Sequence, residues 1–264
     1  MRLDIFLVEN GFVTSRTRAQ QLIKNSMIQV IDNSNKNTTK IIKKPAFEVT
    51  NQMNVQIINQ PGSILTSTSE TAGHFVSRAA LKLVTALDEF NINPANLKCL
   101  DIGASTGGFT QVLIDRGAQH LTALDVGHDQ LSPILLTNPK YSDKLTNIEG
   151  QNIRTYSVSP EEKFDLIVSD VSFISLTFVI EKLPELLKSN SQAILLIKPQ
   201  FEIGKDLLKQ KCRGGVVSAP ELRELAIEKV TASAKNNGLK ISGLTPSKIT
   251  GKDGNQEYLL WLKN

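Results

Sequence analysis

The sequence predicts an α/β protein in which a doubly wound, mostly parallel sheet occupies residues 75–264, a small basic α+β domain occupies 1–59, and 60–74 link the two. Three observations carry this. Short apolar runs that end in a charged residue alternate with stretches of helical periodicity, the pattern of βαβ units. One such run, Cys99–Ile102, passes straight into a turn with glycines at 103, 107 and 108, after which Phe109, Val112, Leu113 and Arg116 recur at helical spacing until Gly117. Residues 1–60 hold eight basic and four acidic side chains, so the front quarter carries an excess equal to the formal +4 of the whole chain.

A chain of 264 residues has room for one large unit and one small one, and its 40% hydrophobic and 21% charged content is that of a soluble protein. Asp4 and Glu9 interrupt the first apolar residues, which argues against a signal peptide, and no apolar run approaches the ~20 residues of a membrane span. A cytoplasmic protein without a membrane partner is therefore expected, with a monomer favoured. Cys99 and Cys212 lie far apart without metal-ligand spacing, and the three histidines are scattered, so neither a disulfide scaffold nor a metal site is expected. The cationic front quarter is the end that should meet a polyanion.

Taken in order, Leu3, Phe6 and Leu7 share one face of a short helix that Gly11 is placed to end. A second helix, capped by Thr14 or Ser15, turns Ala19, Leu22 and Ile23 inward and sets Arg16, Gln20 and Lys24 in line at i, i+4, i+8. Met27–Ile31 reads as a strand, Asp32–Lys40 as a polar turn-prone stretch, and Phe47–Ile58 as further strand material. Residues 60–74 are dominated by polar and turn-forming types, the composition of a linker. A helix then runs from Phe75 through Leu87, carrying Lys82.

The ligand of the glycine turn follows from spacing. Asp101 stands two residues before Gly103, and the glycines run G-x-x-x-G-G rather than the G-x-G-x-x-G of a dinucleotide site. A buried acid there would repel a pyrophosphate but attract the amino group and sulfonium of S-adenosylmethionine. The next apolar run, Leu121–Leu124, ends in Asp125, whose carboxylate suits two ribose hydroxyls. Leu145–Ile148 is a third strand, and it brings Asn152 toward the same edge, where an asparagine either stands near the adenine or caps the loop.

Phe164–Ser169 is a fourth strand ending in Asp170. A helix from about Leu176 leads to the nearly all-apolar Ala193–Ile197, which ends in Lys198, and the last strand, Glu257–Leu262, begins with its acid. Lys82, Asp170, Lys198 and Glu257 thus come from four elements to one sheet edge. A ribose 2′-hydroxyl attacks a sulfonium methyl only as its proton leaves, so an acceptor is needed. A lysine serves when desolvation and a neighbouring like charge favour its neutral form. Lys198, with Lys82 close by, fits that role, and Asp170 and Glu257 would orient the two amines.

Two resemblances extend this reading. Arg2-Leu3-Asp4, Val8–Gly11, Ser15-Arg16, Ala19, Leu22-Ile23, Ile28–Val30 and Lys44-Pro45 resemble the RNA-binding fold first seen in ribosomal small-subunit protein number four. The catalytic half resembles the FtsJ/RrmJ-type ribosomal RNA 2′-O-methyltransferases, whose Lys-Asp-Lys-Glu tetrad the four positions match. The whole chain is similar to the TlyA (hemolysin A) family, through Ser77-Arg78, Lys82-Leu83, Asp101–Thr110, Asp125–Gly127, Asp170–Ser175, Ile197–Glu202, Gly214–Val217 and Gly254–Tyr258.

The resemblance implies a seven-stranded methyltransferase sheet, S-adenosylmethionine as cofactor, and transfer to cytidine 2′-hydroxyls in 16S and/or 23S ribosomal RNA, free or in subunits. It places Lys82, Asp170, Lys198 and Glu257 in catalysis. It implies a cofactor set of Asp101, Gly103, Ala104, Ser105, Gly107, Gly108, Phe109, Asp125, Val126, Asn152 and Asp170. Arg2, Arg16, Arg18, Lys24, Lys43, Lys44, Arg78, Lys211 and Arg213 would meet RNA, with Phe173 and Phe201 holding a flipped nucleotide.

Rival readings are weaker. Val171-Ser172-Phe173 after Asp170 lacks the paired prolines of base-amine methyltransferases, and each cysteine follows a lysine, not the proline common before a pyrimidine C5 nucleophile. The alternative from another class is a hemolysin-like or RNA-binding protein with a non-catalytic methyltransferase fold.

Overall fold

A computed structural model of the chain describes residues 1–10, 12–13, 16–24, 28–32, 38–50, 53–57 and 75–264. It divides into two units, Met1–His74 and Phe75–Asn264. In the first, α1 (Leu3–Glu9) and α2 (Arg16–Lys24) precede β1 (Ile28–Asp32), β2 (Thr38–Ile42) and β3 (Met53–Ile57). The strands form an antiparallel sheet in the order β2-β1-β3. Leu3 and Leu7, one turn apart, pack with Ala19, Leu22 and Ile23 against Ile28, Val30, Ile42, Val49 and Val55. Alternation along β1 therefore decides which face of the sheet meets the helices.

The second unit starts with α3 (Ala80–Glu89), β4 (Lys98–Ile102), α4 (Gly108–Asp115), β5 (His120–Leu124), α5 (Pro133–Thr137), α6 (Pro139–Ser142), β6 (Leu145–Ile148) and β7 (Phe164–Ser169). There follow α7 (Thr177–Ile180), α8 (Leu183–Leu186), β8 (Leu187–Ile197), α9 (Pro199–Glu202), α10 (Lys205–Lys211), α11 (Pro220–Asn236), β9 (Lys240–Pro246) and β10 (Tyr258–Lys263). The seven strands lie in the order β6-β5-β4-β7-β8-β10-β9. Pairings from β6 through β8 are parallel, and β10 is antiparallel to both its neighbours.

Two apolar layers cover this sheet, one built with Leu83, Leu87, Phe109 and Val112, the other with Val179, Ile180, Leu183 and Val230. Strands buried on both faces need continuous apolar runs, and Ala193–Ile197 are all fully buried. The chain runs outward from β4 through β5 to β6, then returns to β7 on the other side of β4 and runs outward again. That reversal opens a crevice beyond the carboxyl ends of β4 and β7.

Several expected elements differ in detail. Phe75–Ala79 do not join α3: the Val76 amide donates to Gln111 Oε1 at 2.8 Å, and Ser77 Oγ accepts from the Ala79 amide at 3.2 Å, so these groups are engaged outside a helical ladder. The single helix expected from Leu176 is two short helices, because Pro184 has no amide to continue the first. β8 begins at Leu187 rather than Ala193, with an irregularity in its pairing to β7. β2 occupies part of the stretch read as turn; it is an edge strand, where polar residues are tolerated, and Ile42 pairs with Ile28. Among the described residues of Phe47–Ile58 the strand is β3, and Glu48 makes an isolated bridge to Arg2. The expected cap at Gly11, the caps at Thr14 or Ser15, the start of a strand at Met27 and the linker 60–74 lie outside the described residues.

Candidate active site

The glycine turn is shaped by what presses on it. Gly103 has φ 81°, and a Cβ there would lie 3.1 Å from Val171 Cγ1 and 3.3 Å from the Asp170 carbonyl oxygen. Gly107 has φ 92°, and a Cβ would lie 2.3 Å from Leu135 Cδ1. A left-handed backbone and close neighbours both select glycine. Asp101, at the end of β4, is fully buried; its Oδ2 accepts from Thr110 Oγ1 at 2.7 Å, while its Oδ1 has no partner among the described residues. Burial pushes this carboxyl up to about 7, against the opposing Thr110 hydrogen bond and with help from the Asp170 and Asp125 charges.

Two cavities adjoin the turn. One of about 130 Å³ is bordered by Ser77, Asp101, Gly108, Asp170 and Lys198, and one of about 400 Å³ by Asp125, Val126, Asn152, Arg154 and Phe178. Gly103, Ser105, Asp170 and Ser172 border both. An orphaned carboxylate oxygen next to a cavity calls for a cationic donor there, so these residues fit S-adenosylmethionine. Ala104, Ser105, Gly108 and Phe109 border the smaller cavity, although the Phe109 ring is buried in the core.

Asp125 is more occupied than the sequence suggests, and Asn152 is a loop cap that also borders a cavity. The Ser105 amide donates to Asp125 Oδ2 and the Gly127 amide to Oδ1, each at 2.8 Å. Remaining lone pairs on both oxygens stay available to ligand hydroxyls. Asn152 Oδ1 accepts from the Arg154 amide at 3.0 Å and caps the short turn that follows, while the residue borders the larger cavity.

The quartet resolves into two ion pairs. Lys82 Nζ on α3 meets Glu257 Oε2 at 2.5 Å, and Lys198 Nζ meets Asp170 Oδ1 at 2.6 Å. Lys198 Nζ also donates to Ser172 Oγ at 2.8 Å. The antiparallel register pairs Tyr258 with Ile197, so Glu257 and Lys198 flank one rung of the sheet. Side-chain exposures of 10% and 3% for Lys82 and Glu257, and 11% and 16% for Lys198 and Asp170, put both pairs in a poorly solvated edge. Lys198 and Asp170 border the smaller cavity; Lys82 and Glu257 border neither. Ser172 was missed as a Lys198 partner because only the meeting of β7 and β8 brings it there.

In the first unit Asp4 organises two of the expected RNA contacts. Its carboxylate is fully buried and accepts from Arg2 Nε at 3.0 Å, Arg16 Nε at 2.8 Å and Gln20 Nε2 at 2.9 Å. Burial acts to raise its pKa, but these hydrogen bonds and the Arg16 charge outweigh it and hold the carboxyl well below the usual range. Arg2 and Arg16, read as phosphate contacts, thus have a protein partner, with side chains 43% and 54% exposed. Lys24, Lys43, Lys44, Arg78, Lys211 and Arg213 are exposed, and the Arg18 side chain lies outside the described residues.

A sheet that reverses beside β4, a glycine turn against a buried acid and lysine–carboxylate pairs at the strand ends define a methyltransferase of the FtsJ-like type. A family model described as FtsJ-like methyltransferase matches residues 75–264. The chain is 38% identical over 265 residues to the 16S/23S rRNA (cytidine-2′-O)-methyltransferase TlyA of Mycobacterium tuberculosis, across 99% of this chain and 89% of that protein. It is 38% identical over 272 residues to the 23S rRNA (cytidine-2′-O)-methyltransferase TlyA of Campylobacter jejuni, across 100% of both. A solved structure of a candidate hemolysin from Lactococcus lactis shares 38% identity and has a TM-score of 0.66, over 72% of this chain and 88% of that one. The chain belongs to the TlyA family of FtsJ-like methyltransferases.

Proposed function

We propose that this protein methylates a cytidine 2′-hydroxyl of ribosomal RNA with S-adenosylmethionine as donor. The single observation that carries the chemistry is Lys198, an amine at a buried strand end, held by Asp170 and Ser172 on the cavity that Asp101 also borders. When bound, S-adenosylmethionine supplies a methyl group on a cationic sulfur. Asp101 would hold its amino group, Asp125 its ribose hydroxyls, and Asn152 would stand beside its base.

Lys198 Nζ is the group placed to take the 2′-hydroxyl proton as the oxygen bonds to the methyl carbon and the methyl–sulfur bond breaks, and Asp170 and Ser172 keep that Nζ aimed at the cavity. Lys82 and Glu257 are paired with each other and border neither cavity, so Lys198 and Asp170 are the members of the quartet that face the reacting groups. Holding acceptor and base in reactive geometry contributes up to about 7–11 kcal/mol in such reactions. Phe173 is 89% exposed, and its ring lies 5.3 Å from that of Phe201, an aromatic surface on which a flipped nucleotide would stack. The names of the relatives support ribosomal RNA and cytidine as the acceptor. Arg2, Arg16, Lys24, Lys43 and Lys44 supply a cationic surface for its phosphates.

The test is transfer of labelled methyl to ribosomal subunits lacking the modification, followed by mapping of 2′-O-methyl positions. Label at a cytidine ribose is expected from the natural protein. Lys198→Ala should lower transfer at least ~10²-fold while S-adenosylmethionine affinity stays within about threefold; unchanged turnover removes Lys198 as the proton acceptor. Erythrocyte leakage with no transfer from the natural protein would favour the non-catalytic reading. Among the described residues no helix is long and apolar enough to cross a membrane.

A further inference from the structure

Glu202 is a buried carboxylate that the mechanism above does not use. It is 3% exposed, borders neither cavity, and sits on α9, whose N-cap is Lys198. Its Oε2 accepts from Ser175 Oγ at 2.5 Å, its Oε1 accepts from the Leu176 amide at 2.8 Å, and Lys229 Nζ on α11 lies 3.6 Å from Oε2. Lys229 Nζ also donates to the Glu202 carbonyl oxygen at 2.8 Å.

The other end of the same loop is tied by Lys198, which donates to Ser172 Oγ and pairs with Asp170. The segment Asp170–Leu176 is thus bolted twice to the Lys198–Glu202 segment. Between the bolts stands Phe173 at φ 68°, a backbone conformation that a phenylalanine keeps only when its surroundings hold it there. A carboxylate buried this deeply is costly unless its bonds are made, and here those bonds fasten a catalytic loop rather than a helix bundle.

We propose that Glu202 is a positioning residue for methyl transfer: by clamping Ser175 and the Leu176 amide it holds Asp170 against Lys198. The role rests on the function proposed above. Glu202 touches neither cofactor nor RNA and acts only through the loop, so its loss should lower kcat and leave binding alone.

In the full-length protein Glu202→Ala is expected to lower kcat about tenfold, with S-adenosylmethionine affinity and the KM for RNA within about twofold of the natural protein. Glu202→Gln retains an acceptor for the Leu176 amide and should restore kcat to within about threefold. Ser175→Ala, which removes one of the two hydrogen bonds from the loop to Glu202 and leaves Lys229 beside the carboxylate, should lower kcat about threefold, and Lys229→Met should leave it within about twofold. Natural kcat in both Glu202→Ala and Ser175→Ala, or a loss confined to KM, would overturn the proposal.

Hydrogen exchange of the 171–177 segment, measured without RNA, separates this from the function itself. Exchange at least about tenfold faster in Glu202→Ala supports the clamp even if the natural protein methylates no ribosomal RNA; unchanged exchange removes the clamp whatever the activity.

Discussion

Asp101 is the residue whose chemistry is most exposed to test. Its carboxyl is raised to about 7, so between the ordinary carboxylate range and neutrality the folded protein keeps a proton that the unfolded chain has released. The unfolded state then binds fewer protons, and this group's contribution to stability falls as pH rises toward 7 and is flat above it. A cationic ligand needs the ionised form. S-adenosylmethionine affinity should therefore climb about tenfold per pH unit from about pH 5 to 7 and level off above, as isothermal titration would show. Asp101→Asn should abolish that slope, and a natural protein whose affinity is independent of pH would sink the assignment of Asp101 to the amino group. Lys198 and Lys82, alike in sequence as charged residues on apolar elements, differ in that Lys198 borders the smaller of the two cavities at the glycine turn and Lys82 borders neither.

The β4–turn–α4 element shows how a short stretch becomes a site. Cys99–Ile102 supply a buried strand, the glycines permit the turn, and α4 begins at Gly108, where a Cβ would lie 3.0 Å from Ser77 Cβ. At Gly107 a side chain meets both a left-handed φ and the Leu135 terminus. Gly107→Ala should destabilise the fold by about 1–3 kcal/mol and lower the thermal midpoint by several degrees. Calorimetry at natural stability would show that the turn has more slack than its geometry implies. In the first unit α1 and α2 are joined by the Asp4 carboxylate as well as by Leu3, Leu7 and Ala19. The depressed pKa there makes its stabilisation fully present above the ordinary carboxylate range and lost progressively as pH falls below that range.

At the scale of the whole molecule most of the cationic surplus sits in the first unit, with eight basic against five acidic side chains, and the chemistry in the second. RNA affinity should accordingly depend on salt while cofactor affinity does not. Replacing Lys24, Lys43 and Lys44 with glutamine should reduce the slope of log affinity against log salt by about 2–3, near 0.7–0.9 for each phosphate no longer neutralised. Filter binding of ribosomal RNA across a salt series measures this, and an unchanged slope would move the RNA surface elsewhere.

Much of the second unit was legible because parallel strands are buried on both faces, so each reads as an apolar run whose charged terminus marks the sheet edge. Asp101, Asp125, Asp170 and Lys198 were found in this way. α11 and β9 escaped because their signals are weak. α11 buries only a narrow stripe of Leu222, Ala226, Val230 and Ala234, two of them small, and β9 has little alternation between buried and exposed positions. The start of α3 at Ala80 was hidden because the engagement of Val76 with Gln111 joins residues far apart in the chain.

The amino-acid sequence by itself determined the glycine turn, the acids and lysines at the strand ends and the placement of positive charge, since periodicity and backbone sterics act over a few neighbouring residues. Tertiary structure alone decided the partners: Glu257 with Lys82, Asp170 and Ser172 with Lys198, the Ser105 and Gly127 amides on Asp125, and Asp4 beneath two arginines. Such pairings depend on strand order, register and desolvation, which exist only after distant segments have packed. A charge read along the chain has many possible partners, and burial leaves it the few it must satisfy.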